Sequence, residues 1–140
     1  MLLVEDNDVN AEIAVKILSH FGATADRAEN GRIGLEMILE RGDGWYDAVL
    51  MDIQMPVMNG YEATRAIRAA DKGYCKTLPV IAMSANAYDE DVRECLAAGM
   101  NAHLAKPFNP ADLLKLLHEQ IRENRFRDHE SGKMNNPKER

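Results

Sequence analysis

The stretch Ala48-Val49-Leu50-Met51-Asp52 most narrows what this chain can fold into. Its four apolar residues are too few for a helix of ordinary length, and Gln54-Met55-Pro56 and Asn59-Gly60 follow at once. A run of that kind is a strand with both faces buried that ends in a loop. Here it ends on a carboxylate, Asp52. Leu2-Leu3-Val4, closed by Glu5-Asp6-Asn7-Asp8, and residues 78–83, closed by Ser84, repeat the pattern. Pro79 is tolerable because it lies at the start of its strand.

Between these runs apolar residues recur at helical spacing. Val9, Ile13, Ile17 and Phe21, flanked by Ala14 and Leu18, predict a first helix with Asn7 or Asp8 as its cap and Gly22 as its end. Residues 23–28 alternate weakly and predict an edge strand. Ile33, Leu35, Met37, Ile38 and Leu39 predict a second helix, capped by Asn30 and stopped by Gly42 and Gly44. Tyr61, Ala63, Thr64, Ile67 and Ala70 predict a third, closed by Asp71-Lys72-Gly73. Residues 89–98 predict a fourth, with Val92, Cys95 and Leu96 inward and Gly99 at its end. Residues 101–105 form a short fifth strand before Lys106-Pro107. Asn109-Pro110 then opens a fifth helix with Leu113, Leu114, Leu117 and Ile121 as its buried stripe. Five strands alternating with five helices predict an α/β fold with a parallel sheet covered on both faces. Past Arg125 the pattern stops, so the expected organisation is one domain over residues 1–125 and a charged, largely disordered tail over 126–140.

Composition limits the partners. With 46% hydrophobic and 29% charged residues, the 140-residue chain fits a single globular domain. A net charge of -6 and a pI near 5.2 argue against nucleic acid or an anionic membrane and favour a bound cation. Cys75 and Cys95 lack the spacing of a metal knuckle or redox pair. Glu5-Asp6 interrupts the first apolar run almost at once, so neither a signal peptide nor a membrane span is read, and a reducing cytoplasmic setting is expected. One or two further strand residues are expected before Leu2 in the native chain.

Parallel strands bring their carboxyl ends to one rim, where an open α/β sheet binds its ligands. Asp6, Asp52, Ser84 and Lys106 each end a different strand, and Glu5 accompanies Asp6. Three carboxylates so placed repel one another unless a cation joins them, and oxygen ligands suit Mg²⁺. The ion would orient a phosphate donor near Asp52, whose carboxylate can act as a nucleophile and form an aspartyl phosphate. Lys106 offers a point charge and Ser84 a hydrogen bond to the phosphoryl oxygens.

These residues, as a set, resemble the receiver domain of two-component response regulators. The motifs are Leu3-Val4-Glu5-Asp6-Asn7, Leu50-Met51-Asp52-Ile53-Gln54-Met55-Pro56, Met58-Asn59-Gly60, Met83-Ser84-Ala85 and Lys106-Pro107-Phe108, and the resemblance covers residues 2–122. It implies a flavodoxin-like five-stranded sheet in the order 2-1-3-4-5, Asp52 as phospho-acceptor, and Mg²⁺ held by Glu5, Asp6, Asp52 and the Gln54 backbone carbonyl. It also implies Ser84 as a switch hydroxyl, Lys106 as the lysine of the site, and Gln54 and Asn86 flanking the water that removes the phosphoryl group. The family usually has Tyr or Phe three residues before the lysine as the ring of the switch, and the resemblance gives that place to His103, a polar ring that can swing between outward and inward rotamers. The face made by the fourth helix, fifth strand and fifth helix is implied to repack on phosphorylation and to be a surface for a partner or for a homodimer.

Asn10 and the run from Asp52 to Ala63 are further similar to receivers attached to hybrid sensor histidine kinases, whose implied partners are a histidine kinase and a histidine phosphotransfer protein. Such a domain catalyses its own phosphorylation and dephosphorylation, and its parent can be a membrane-bound sensor with this part in the cytoplasm. A stand-alone single-domain regulator is the alternative. A small-molecule phosphatase with an Asp nucleophile would want a second acid/base carboxylate just after it, where Gln54 stands. A receiver-like domain that no longer takes phosphate conflicts with the intact Asp52, Lys106 and acidic pair. An FMN-binding relative would need a phosphate cradle where Glu5-Asp6-Asn7-Asp8 would repel phosphate.

Overall fold

The computed structural model describes the backbone at residues 1–85, 89–106 and 109–135, and the side chains of these residues except 89, 90 and those beyond 124. The elements follow the chain as β1 (Leu2–Val4), α1 (Asp8–His20), β2 (Asp26–Ala28), α2 (Gly31–Arg41), β3 (Val49–Asp52) and α3 (Gly60–Ala69). There follow α4 (Gly73–Thr77), β4 (Val80–Ser84), α5 (Asp89–Ala98), β5 (Ala102–Ala105) and α6 (Pro110–Asn135). All strand pairs are parallel, and the sheet order is β2-β1-β3-β4-β5.

Alternate residues of each central strand enter different cores, which is why these strands read as unbroken apolar runs. Leu2, Val4, Val49, Met51, Val80 and Ala82 pack with Ile38 of α2, Ile67 of α3, Cys75 of α4 and Cys95 of α5. Leu3, Leu50, Ile81 and Met83 pack on the other face with Ala11, Ala14 and Leu18 of α1 and Leu113 and Leu117 of α6. The edge strand β5 is only half-buried throughout.

Asparagine caps set three helix starts. The side chains of Asn7, Asn30 and Asn59 accept from the backbone N–H of Asn10, Ile33 and Glu62, each at 2.9 Å. Glu62 Oε1 in turn accepts from the Asn59 backbone N–H at 3.1 Å, closing a capping box. Each such cap stabilises its helix by about 1 kcal/mol.

The structure corrects several expectations. Among the described residues there are six helices, the extra one being α4, because five residues are too few for an apolar period to show in sequence. The buried stripe of α1 is Ala11, Ala14 and Leu18, while Val9, Ile13 and Phe21 are exposed. Small residues let the helix lie close to the sheet, and the larger apolar side chains flank that contact. On α5, Cys95 and Ala98 are buried and Leu96 is exposed. Helix α6 continues to Asn135, past the expected end near Arg125. Residues 126–135 include Asp128, Ser131, Gly132 and Asn135, which are poor helix formers, and carry no apolar stripe, so the sequence did not mark this extension. Residues 136–140 lie outside the described residues.

Candidate functional site

Parallel pairing brings the carboxyl ends of β1, β3, β4 and β5 to one rim, and the candidate residues stand there. Asp52 is the last residue of β3 and Glu5 directly follows β1, and both are buried. Asp6 is exposed. One carboxylate oxygen from each of Glu5, Asp6 and Asp52 lies within 4.8 Å of the other two. Lys106, 101 residues from Glu5 in sequence, donates from Nζ to Glu5 Oε2 at 2.8 Å and lies 3.4 Å from Asp52 Oδ1. The Asn7 backbone N–H donates to the other Glu5 oxygen at 3.2 Å.

Burial sets the electrostatics. It raises the Asp52 carboxyl to about 7, the Glu5 charge adds to that rise, and Lys106 opposes it. For Lys106, burial pulls the ammonium down, but the Glu5 hydrogen bond and the Asp52 charge outweigh it and the pKa is raised. The cluster therefore carries excess negative charge that Lys106 offsets only in part.

The loop after Asp52 is fixed at both ends. Ile53 donates its backbone N–H to the Met83 carbonyl at 3.1 Å, and Gly60 donates back to the Ile53 carbonyl at 2.9 Å. A Cβ on Gly60 would lie 2.5 Å from the Asp52 carbonyl oxygen, so only glycine lets α3 begin this close to the acceptor strand. Gly31 meets the same demand, because its added Cβ would lie 2.6 Å from the Met58 carbonyl oxygen that its own N–H bonds. Within the loop, Val57 has φ +69°, an unusual conformation for a β-branched residue.

Gln54 is exposed beside an open cleft of ≈ 660 Å³ that Met55, Asn59, Tyr61 and Ser84 also line. Ser84 ends β4, and its Oγ is 2.8 Å from His103 Nε2 on β5. Asn86 lies outside the described residues. Arg27 is a side chain that the sequence did not single out. From the edge strand β2 it donates through Nε and Nη2 to the Glu5 carbonyl at 3.1 and 2.9 Å, and through Nη1 to Asp8 Oδ1 at 2.7 Å. It thus holds the loop that carries Glu5 and Asp6. An arginine in a three-residue edge strand gave no pattern from which this could be read.

The family model for the response regulator receiver domain matches residues 1–118. A hybrid signal transduction histidine kinase B of Dictyostelium discoideum is 41% identical over 81% of this chain, which spans 6% of that kinase's length. The receiver domain of a sensor histidine kinase of Pseudomonas aeruginosa, solved with a magnesium ion in its active site cleft, is 42% identical with a TM-score of 0.76 over 86% of this chain and 94% of its own. A Saccharomyces cerevisiae response regulator receiver domain, solved with its histidine phosphotransfer protein, is 28% identical with a TM-score of 0.73, and the alignment covers 85% of this chain and 86% of the solved one. Family match, sheet order and relatives agree, and the chain belongs to the response regulator receiver domains of two-component phosphorelay signalling.

Proposed function

We propose that Asp52 is the phospho-acceptor of this receiver and that a phosphohistidine of a histidine kinase or phosphotransfer protein is its donor. An Asp52 oxygen attacks phosphorus, the P–N bond breaks, the imidazole leaves with a proton, and an aspartyl phosphate remains. The observation that carries the reading is the meeting of Asp52 with Glu5, Asp6 and Lys106 at one rim. Lys106 is near enough to Asp52 to turn toward a phosphoryl oxygen, and Ser84 stands on the neighbouring strand.

The donor set fits a divalent cation: hard carboxylate oxygens, close together, with Asp52 raised toward 7 by burial and by the charge of Glu5. We assign Glu5, Asp6, Asp52 and the Gln54 backbone carbonyl as the residues that would hold Mg²⁺. When bound, the ion would supply charge neutralisation for the incoming phosphoryl group. Gln54 and Asn86 are assigned to the lifetime of the phosphoryl group, since a neutral amide can orient water without acting as a strong base.

A protein donor is supported by exposed Val9 and Ile13 on α1, with an apolar cleft of ≈ 410 Å³ between Ile13, Ile17, Met83 and Lys106. The likeness to hybrid kinase receivers supports a parent of that kind, with this domain on the cytoplasmic side. No helix among the described residues is long and apolar enough to cross a membrane. The face formed by α5, β5 and α6 is the proposed output and homodimer surface. The test is incubation with phosphoramidate and Mg²⁺ followed by intact mass. Wild type gains one phosphoryl group and Asp52→Asn gains none; a modified Asp52→Asn chain would refute the assignment.

A further inference from the structure

The acidic loop after β1 carries two of the assigned metal ligands, and β2 holds its backbone. The Glu5 N–H donates to the Ala28 carbonyl at 3.1 Å, which carries the β1–β2 pairing one residue past the end of β1. The Glu5 carbonyl accepts two bonds from Arg27, from Nε at 3.1 Å and from Nη2 at 2.9 Å, and the third nitrogen, Nη1, reaches Asp8 Oδ1 at 2.7 Å. One planar guanidinium therefore grips the chain on both sides of Asp6. Asp6 is exposed, so burial does not fix its carboxylate; the peptide before it and the start of α1 after it do. Arg27 pairs in register with Leu3 and its side chain is only 25% exposed, so the fork projects from a packed strand.

Charge alone would make an arginine an unfavourable neighbour here, because a fixed positive charge repels an incoming cation. The Asp8 carboxylate offsets that charge only in part, since it is 88% exposed and screened by solvent. The three bonds act in the other direction, by limiting the positions that the Glu5–Asp6 peptide can take.

We propose that Arg27 is a positioning residue for the divalent cation: by fixing the Glu5–Asp6 peptide it holds the Asp6 carboxylate where it meets those of Glu5 and Asp52, and it raises Mg²⁺ affinity although its own charge opposes the ion. The proposal rests on the assignment of Glu5, Asp6 and Asp52 as ligands. Groups that orient metal ligands without touching the ion change affinity by roughly 10–100-fold when removed. Arg27 acts through backbone and not on a ligating atom, which puts it at the low end of that range.

Titration of the full chain with Mg²⁺, followed by ¹H–¹⁵N NMR, tests this through a sign, and the same spectra show whether each variant is folded. Arg27→Met removes both charge and fork, whereas Arg27→Lys keeps the charge but donates from one nitrogen instead of three. If charge alone matters, Arg27→Met binds Mg²⁺ more tightly than wild type and Arg27→Lys binds it equally. Positioning requires the reverse: Arg27→Met is expected to bind about tenfold more weakly, with Arg27→Lys between it and wild type. In an Asp6→Ala background Arg27→Met is expected to weaken binding by much less, since the carboxylate that it positions is gone. Unchanged or tighter binding in Arg27→Met, or an equal loss in the Asp6→Ala background, overturns the proposal. Where Arg27→Met does not fold, Arg27→Lys decides: weaker binding supports positioning and wild-type binding overturns it. A wild-type chain whose amide signals show no saturable response to Mg²⁺ loses the metal assignment and this inference together, whereas one that binds Mg²⁺ no better than Arg27→Met loses only the role of Arg27.

Discussion

Lys106 is bonded more closely to Glu5, at 2.8 Å, than it approaches Asp52, at 3.4 Å. The lysine thus joins the end of β5 to the end of β1 across the two strands between them, and it partly balances two carboxylates that burial would otherwise penalise. Recruiting it to a phosphoryl group therefore has a cost, since Glu5 must find another positive partner, a need that a bound cation would meet.

Removing the lysine tests that balance. Lys106→Met leaves Glu5 buried without its cation and is expected to destabilise the metal-free domain by roughly 3 kcal/mol, the low end for a buried pair because Lys106 is itself 21% exposed. Urea unfolding in EDTA measures this. A midpoint equal to that of wild type would show that the pair contributes nothing.

Asp52 makes the metal-free stability depend on pH in a defined sense. Its carboxyl is raised in the fold from 3.8 to about 7, so the native state holds the proton more tightly than the unfolded chain does. This group's contribution is therefore fully present below pH about 4 and is lost as pH rises toward 7. Asp52→Asn removes the dependence and is expected to be more stable than wild type at neutral pH by on the order of 1–3 kcal/mol. Thermal melts of both chains across that range in EDTA should diverge as pH increases; parallel curves would contradict the assignment.

Magnesium should reverse this penalty. Asp6 is the exposed member of the acidic trio and makes the least contribution to packing. Asp6→Ala is expected to weaken Mg²⁺ binding by at least about tenfold, or 1.4 kcal/mol, with little change in metal-free stability. Isothermal calorimetry on the folded variant reads it directly, and undiminished affinity would break the proposed cluster.

Val57 offers a gain in stability. It is 74% exposed, so its side chain has little packing to lose, yet it holds φ +69°. Val57→Asn or Val57→Gly is expected to raise stability by about 1 kcal/mol, the cost of left-handed backbone for a branched residue. A denaturation midpoint that does not rise in either variant would count against strain at this turn.

Gly60 should behave in the opposite way. Gly60→Ala drives a methyl group to 2.5 Å from the Asp52 carbonyl oxygen and is expected to cost roughly 1–3 kcal/mol while shifting the acceptor strand. Denaturant unfolding together with the phosphoramidate labelling rate tests both parts. Wild-type values in both would mean that the contact relaxes freely.

The sequence by itself determined the sheet and its rim. Strands buried on both faces must be apolar throughout, so Leu2–Val4 and Val49–Asp52 could be read as parallel strands from their residues alone, and each end marked itself with a charged residue. Caps are local chemistry, so Asn30 was legible as a helix start and Asn7 as one of two candidates, while the capping box of Asn59 and Glu62 emerged only in the structure. What the sequence left open depends on which surfaces meet. Hydrophobicity favoured Val9 and Ile13 as the inner face of α1, but only packing against the sheet selected Ala11 and Ala14. No pattern in the chain linked Arg27 to the Glu5 carbonyl or Lys106 to Glu5, because contacts over 22 and 101 residues exist only once the strands are ordered. For His103 the family resemblance gave only the place of the switch ring; the register of β5 against β4 sets that ring 2.8 Å from Ser84 Oγ.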